Sequence, residues 1–557
     1  MKTDIQVIIK AYNFSSIEYV KTGTTAAEIL KNSRVSNKKE IIVAIVNNVY
    51  CDLSKVINHD SDIQYISINQ ISGLKFYRYT TVFILSYVIF KLYKKNILNI
   101  GPSIHFNFYF DLQLNDRINN KNLKKIEQEF SRIVASNLKI QTVYLTKQEA
   151  IRYYEKHHDH DKVKLMQYLN KDQIKFYKIG NYYDVCAGPI ALNTGIIKKY
   201  KFCLYPPGFL IEFPQIKKSR SKILKTVNPK KLSKVFLETR NWYKIQNITN
   251  VAQLNDLIKH DKLSEIINIS EALHEKKISL IADEITKRKK DIKFILIAGP
   301  SSSGKTSFVK RLSIQLKVNG LKPVSISIDN YFVSREQTPK DDKGNYDFEC
   351  LEALDVDLFN EHLNDLLKEE KIEMPKFDFL KGSRKEKTIP LKLKEDQIIL
   401  IEGIHGLNEK LTFAVPKNKK FKIYVSALSQ LRISNNFRIP TRDTRLFRRI
   451  VRDFTYRDHT AHETLLMWKN VRRGEEKYVF PFQEDADIIF DSGLIYETSI
   501  LKPLAYKYLK MVSHNVPEYA EARRLLDTLD YFLPASEKSV PKISLLREFI
   551  GGSTFTY

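Results

Sequence analysis

Gly299-Pro300-Ser301-Ser302-Ser303-Gly304-Lys305-Thr306 has the form G-x-x-x-x-G-K-[ST], and its reading decides the fold around it. The run before it, Phe294-Ile295-Leu296-Ile297-Ala298, is short, apolar and rich in β-branched residues, so it reads as a buried strand. After it, residues 307–318 set Phe308, Leu312 and Leu316 on one helical face, and the pattern stops near Gly320. A loop held between a strand and a helix N-terminus directs backbone N–H groups and the positive end of the helix dipole at one spot, which favours a polyanion. The pattern predicts a loop for ATP or GTP, with Gly299, Ser301, Ser302, Ser303, Gly304 and Ser307 around the phosphates. Lys305 then reaches the β/γ-phosphates and the Thr306 hydroxyl ligates Mg²⁺. A Gly/Ser turn matching by chance would carry neither the strand nor the helix.

Outward from the loop, strand-like runs at 293–298, 323–328, 398–402, 421–426 and 487–490 alternate with helical stretches, predicting an α/β domain with a parallel sheet flanked by helices over 291–495. Ligands of such sheets bind beyond the carboxyl ends of the strands. Two carboxylates stand there. Asp329 follows the run Val324-Ser325-Ile326-Ser327-Ile328, in position to accept a proton from an attacking hydroxyl or to help hold Mg²⁺. Glu402 ends the run 398–401 and is a second candidate metal ligand beside Thr306. Downstream, Arg445, Arg448, Arg449 and Arg452 follow a 0, 3, 4, 7 spacing, so one helix face carries four guanidinium groups. Such a face repels itself unless anions meet it, either a transferring phosphoryl group or nearby acids.

These pieces occur in one order: 299–306, Asp329-Asn330-Tyr331-Phe332, Pro375-Lys376-Phe377-Asp378-Phe379 with Ser383-Arg384, the Glu402-Gly403 strand end, and Asp443-Thr444-Arg445-Leu446 to Asp453. The order resembles the uridine kinase and phosphoribulokinase family over roughly 290–495. The resemblance implies that Asp329 is the base for a nucleoside 5′-hydroxyl, that Arg445 and Arg449 act from a lid, and that Tyr331, Phe377 and Arg384 contact the acceptor. Uridine kinases carry a Tyr where Phe377 stands and a His where Gly382 stands. Phe377 still offers a stacking face, but the hydrogen-bonding partners of a pyrimidine are gone, and polar contacts of that kind discriminate strongly between substrates.

The front of the chain differs in character. Residues 1–68 resemble the β-grasp TGS domain, through Ile45-Val46-Asn47-Asn48 and Cys51-Asp52-Leu53-Ser54, with strands at 5–9 and 41–46 and a helix from 25 to 30 capped by Thr24 or Thr25. Residues 71–225, with helices expected at 80–92 and 122–136, resemble the α+β editing domain of threonyl-tRNA synthetase. The carrying motifs are Ile100-Gly101-Pro102 with Phe108-Tyr109-Phe110-Asp111, and Asp184-Val185-Cys186-Ala187-Gly188-Pro189 with Asn193-Thr194. That family uses a His-x-x-x-His pair, a Cys and a further His. Here Tyr79, Phe83 and Ile190 stand at the histidine positions and only Cys186 remains, so neither a zinc site nor a His base can be assembled from them. The run His157-His158-Asp159-His160-Asp161 reads as a solvated charged loop, because its neighbouring side chains diverge. Residues 226–290 are expected to be a charged helical connector, and 496–557 a helical tail packed on the kinase-like domain.

The 557 residues call for about three domains. Four scattered cysteines make no disulfide framework, no apolar run approaches the length of a membrane span, and Met1-Lys2-Thr3-Asp4 opens no signal-peptide core; a cytoplasmic location without membrane contact is expected. The net charge of +27 is spread over every segment, which suits a Lys-rich composition better than one basic RNA-binding block. The expected activity is phosphorylation of a nucleoside 5′-hydroxyl by ATP with Mg²⁺. The alternatives are a kinase for another small hydroxyl compound, or an RNA-binding protein that uses ATP as a switch. Oligomeric state is not legible.

Overall fold

The computed structural model describes residues 4–95, 97–104, 107–112, 118–217, 220–222, 230–341, 344–378, 381–394, 396–428 and 431–557. The chain opens with a five-stranded sheet in the spatial order Phe14–Lys21, Asp4–Ala11, Ser61–Ser67, Ile41–Val46, Val49–Cys51. The helix Ala26–Asn32 covers it. Thr25, rather than Thr24, is the cap: its side chain accepts from the Glu28 N–H while the Glu28 carboxylate accepts from the Thr25 N–H, a capping box.

The long helix of the next unit runs Ile71–Tyr93 and so begins at Ile71 rather than at 80. Its start was hidden by Gly73, which the helix needs because a Cβ there would lie 1.9 Å from the Ser67 carbonyl oxygen. From Thr80 to Leu85 every residue is buried, as expected of a helix that is apolar on all sides. One side packs on the antiparallel sheet Lys201–Tyr205, Gly208–Glu212, Asn107–Leu112, Leu98–Ile104. The other side sets Phe83 against Tyr177 and Tyr182, from the small sheet Gln141–Thr146, Gln173–Ile179, Tyr182–Asp184. Two of the three positions of the missing histidines are filled by packed side chains, Phe83 and Ile190 being fully buried, while Tyr79 is half-buried.

The run 157–161 covers the turn between helices Lys147–Lys156 and His160–Tyr168 and the first two residues of the latter. Asp159 departs from the expected solvated loop, being buried while its side chain accepts from the Lys162 N–H at the helix start. Residues 230–287 form three helices, Lys230–Ile245, Val251–Lys259 and Leu263–Lys287. They are more than a charged connector. Ile278, Ile281 and Ile285 of the last one share a core with Phe308 and Leu312, and Arg311 bridges to Glu271 and Glu275 at 3.2 and 2.6 Å.

The C-terminal sheet has the order Lys322–Ser327, Gln397–Glu402, Phe294–Ala298, Lys420–Ser426, Ile488–Asp491, and all its pairings are parallel. Its central strand Phe294–Ala298 is buried throughout because helices cover both faces, which is why it reads as an unbroken apolar run. Helices Glu497–Lys510, Tyr519–Leu529 and the short Arg547–Ile550 follow. Among the described residues no helix is long and apolar enough to cross a membrane.

Candidate functional site

The loop 299–304 leaves the central strand and enters the helix Lys305–Val318. Gly299 is needed for closeness, since a Cβ would sit 2.0 Å from the Val425 carbonyl oxygen of the neighbouring strand. Gly304 is needed for conformation, with φ +85° immediately before the helix. Lys305 folds back over the loop, and its Nζ donates to the carbonyls of Gly299 and Pro300 at 3.0 and 3.2 Å.

Parallel register then brings the carboxylates to this loop. Glu402 pairs with Ile297 on one side and Ser327 on the other, so it stands beside the loop, and the Thr306 hydroxyl donates to Glu402 Oε1 at 2.8 Å. Burial pushes the Glu402 carboxyl up to about 7, against the pull of Lys305 and the Thr306 hydrogen bond. Asp329, in a short 3₁₀ turn just past Ser327, keeps surface open to the cleft. The protein walls of the cleft raise its carboxyl above the ordinary value, against the pull of Lys305 and Arg457. Glu349, a residue the sequence did not single out, is pushed up to about 7, first by burial and then by the neighbouring Glu475; Arg449 opposes the rise.

The arginine helix is Thr441–Tyr456, and each guanidinium on its face has met an anion. Arg445 makes a two-pronged pair with Glu475 at 2.5 and 2.8 Å and donates to the Ser301 carbonyl at 3.0 Å. Arg449 donates to Ser301 Oγ at 2.8 Å and pairs with Asp453, which also takes Arg452. Arg448 is fully enclosed, bound to Glu497 and facing the Ser303 carbonyl. Because Leu446, Phe447, Ile450 and Val451 are core residues, the helix the resemblance reads as a lid stands as a packed wall of the site in this structure.

The loop's own donors are already engaged by carboxylates. The Ser301 N–H donates to Glu475 Oε1 at 2.9 Å. The Ser307 N–H and hydroxyl donate to Glu548 Oε2 at 3.3 and 2.7 Å, and Tyr557 Oη lies 2.9 Å from Ser307 Oγ. Sites that hold carboxylate oxygens on backbone N–H groups are chemically suited to phosphate oxygens, and a Thr hydroxyl with a Glu carboxylate suits a hard cation. The residues present therefore fit a nucleoside triphosphate with Mg²⁺. Glu475 and Glu548 carry no motif, and their contacts span 174 and 241 residues, so nothing local announced them.

On the acceptor side, Phe377 packs its ring 5.6 Å from Phe332 at the cleft. Arg384 binds Asp355 at 3.0 Å and the carbonyls of Tyr331 and Phe332, tying its hairpin to the Asp329 segment. Tyr331 corrects the expectation of a substrate contact: its side chain is buried against Phe359 and bonded to His362 Nδ1 at 3.0 Å, because it is the apolar anchor of this turn. Gly382 has φ +69°, and a Cβ there would meet Arg335 Nε at 2.9 Å, so the side chain of exposed Arg335 occupies the place where uridine kinases were expected to carry a His.

This is the arrangement of a P-loop kinase fold. Residues 294–499 match the Phosphoribulokinase / Uridine kinase family. Among solved structures, a possible uridine kinase from Bacillus stearothermophilus is similar to the chain at 20% identity, covering 38% of this chain and 97% of that one with a TM-score of 0.24. The N-terminal region is similar to threonine–tRNA ligases: 34% identity over 182 residues with that of Thermotoga sp. strain RQ2, and 32% over 186 residues with that of Orientia tsutsugamushi strain Boryong. These alignments cover 32% and 33% of this chain, which spans only 28% and 29% of those relatives. The kinase-family segment and the ligase-like region are therefore two separate likenesses carried by one chain.

Proposed function

We propose that the chain is an ATP-dependent kinase transferring the γ-phosphoryl group to a hydroxyl of a small acceptor, in the first instance the 5′-hydroxyl of uridine or cytidine. The observation that carries this reading is the joining of three strand ends at one loop: Thr306 bonded to Glu402, Lys305 over the loop, and Asp329 on the open side of the cleft. In this reading Asp329 accepts the hydroxyl proton as the acceptor oxygen bonds to phosphorus and the bond to ADP breaks. Lys305 and the N–H groups of 301–307 hold the phosphate oxygens once Glu475 and Glu548 yield them. Arg445 and Arg449 offset charge on the group in transfer. Thr306 and Glu402 would hold Mg²⁺, which supplies neutralisation of phosphate charge.

A second reading rests on Arg335. A guanidinium standing over Gly382 suits an acceptor that itself carries an anionic group, such as a sugar phosphate. ADP release measured across nucleosides, sugars and sugar phosphates separates the two: turnover confined to phosphorylated acceptors moves the assignment to the second. ATP hydrolysis stimulated by RNA, with no acceptor phosphorylated, would overturn both in favour of an ATP switch.

A further inference from the structure

A cavity of about 350 Å³ lies where the ligase-like region meets the kinase-family segment, at the lower end of the size range of small-molecule sites. Lys75 and Arg78 of the long helix enter it from one side, and Arg438, Arg442 and Arg472 from the other. The rings of Tyr79, Phe108, Phe236 and Tyr424 supply apolar wall. Neither the phosphate loop, nor Asp329, nor Glu402, nor Phe377 lines it; its link to the phosphate loop is the Arg445–Glu475 pair.

The cations here exceed their partners. Arg472 has Glu476 at 2.6 Å and Lys75 has Glu521 at 3.3 Å, while Arg442 reaches Asp443 only at 3.4 Å. Among the described residues Arg78 and Arg438 make no ion pair. Arg438 donates to the Gly101 carbonyl and Ser103 Oγ, and Arg78 Nε is buried with no hydrogen-bond partner. Both guanidinium groups stack near Phe108, at 5.8 and 5.0 Å from its ring centre. Burial and the neighbouring arginines hold Arg78 down to about 10, and burial with Arg524 nearby holds Lys75 down to about 7. Enclosing like charges this closely is unfavourable unless an anion joins them, and planar guanidinium groups match phosphate oxygens two at a time.

We propose that this cavity is a binding site for a small phosphorylated compound bearing a ring, of the nucleoside monophosphate class, separate from the phosphate-loop site. The phosphate is held between Arg78 and Arg438 with Arg442 and Lys75 in support, and the ring lies among the aromatic walls.

The test is equilibrium dialysis of the full chain with labelled AMP and UMP, in parallel for Lys305→Ala, Arg78→Gln and Arg438→Gln. Binding is expected to persist in Lys305→Ala and to weaken at least tenfold in both arginine variants, with MgATP affinity unchanged in Arg78→Gln. Arg438→Lys, which keeps the charge, should recover part of the affinity and covers the case in which a neutral variant fails to fold. Loss in Lys305→Ala with no change in the arginine variants would place all nucleotide at the phosphate loop and overturn the proposal. So would binding of an RNA oligonucleotide with no binding of either monophosphate. Neither result depends on which acceptor is phosphorylated, so failure here and failure of the kinase assignment are read separately.

Discussion

Asp329 and Glu349 are both carboxyls held above their ordinary range, and they make different demands. Asp329→Asn keeps the shape of the turn and removes the proton acceptor, so kcat should fall on the order of a thousandfold while ATP still binds. Retained ADP release in that variant would remove Asp329 as the base. Glu349 is raised to about 7, so its ionised form is disfavoured in the folded chain. Its penalty is present above pH 7 and disappears as pH falls through 7 toward the ordinary value near 4.5. Glu349→Gln should therefore stabilise the protein by on the order of 1 kcal/mol at pH 8, allowing for partial solvent access, and by nothing measurable at pH 4.5. Equal effects in thermal melts at the two pH values would contradict the assignment. Glu349 was invisible in the sequence because its setting comes from Glu475 and Arg449, which are remote along the chain. Lys305, Thr306, Asp329 and Glu402 were legible because each ends or follows a strand on one sheet edge.

Among the helices, Thr441–Tyr456 shows what spacing conveys and what it does not. The 0, 3, 4, 7 pattern correctly put Arg445, Arg448, Arg449 and Arg452 on one helix, but it could not say which would be enclosed. That depends on Glu497 and Glu475, whose positions follow from later helices. Arg448→Met leaves Glu497 buried without a counter-charge and should cost about 3–5 kcal/mol in urea unfolding. Arg448→Met with Glu497→Leu should regain much of that loss; a double variant no more stable than the single one would show that the pair is not what matters. The strand ends were read to within a residue or two, since alternation of short apolar runs is a local signal. The spatial order of those strands was not readable, because it is set by how crossover helices pack.

Across the whole molecule, the segment carrying Glu548 and Tyr557 returns to the helix that begins the nucleotide site. A carboxylate there competes with phosphate for the Ser307 donors. Glu548→Gln should tighten ATP binding by about tenfold, the scale of one charge-assisted hydrogen bond, as read by titration calorimetry. Unchanged or weaker binding would mean that Glu548 supports the site instead. Neither this closure nor the cavity between the two halves could be read from motifs, since both are made by residues hundreds of positions apart that share no pattern.

Glu475 accepts the Ser301 N–H of the phosphate loop and grips Arg445, whose guanidinium also faces the cavity on the far side. One ion pair is therefore a party wall between two rooms. Whatever draws Arg445 or Glu475 toward one side alters what the other side offers, and equilibrium makes that influence equal in both directions. An affinity measured at either site belongs to a stated occupancy of its neighbour, and the front half of the chain acquires a physical means of being felt at the phosphate loop without ever touching it.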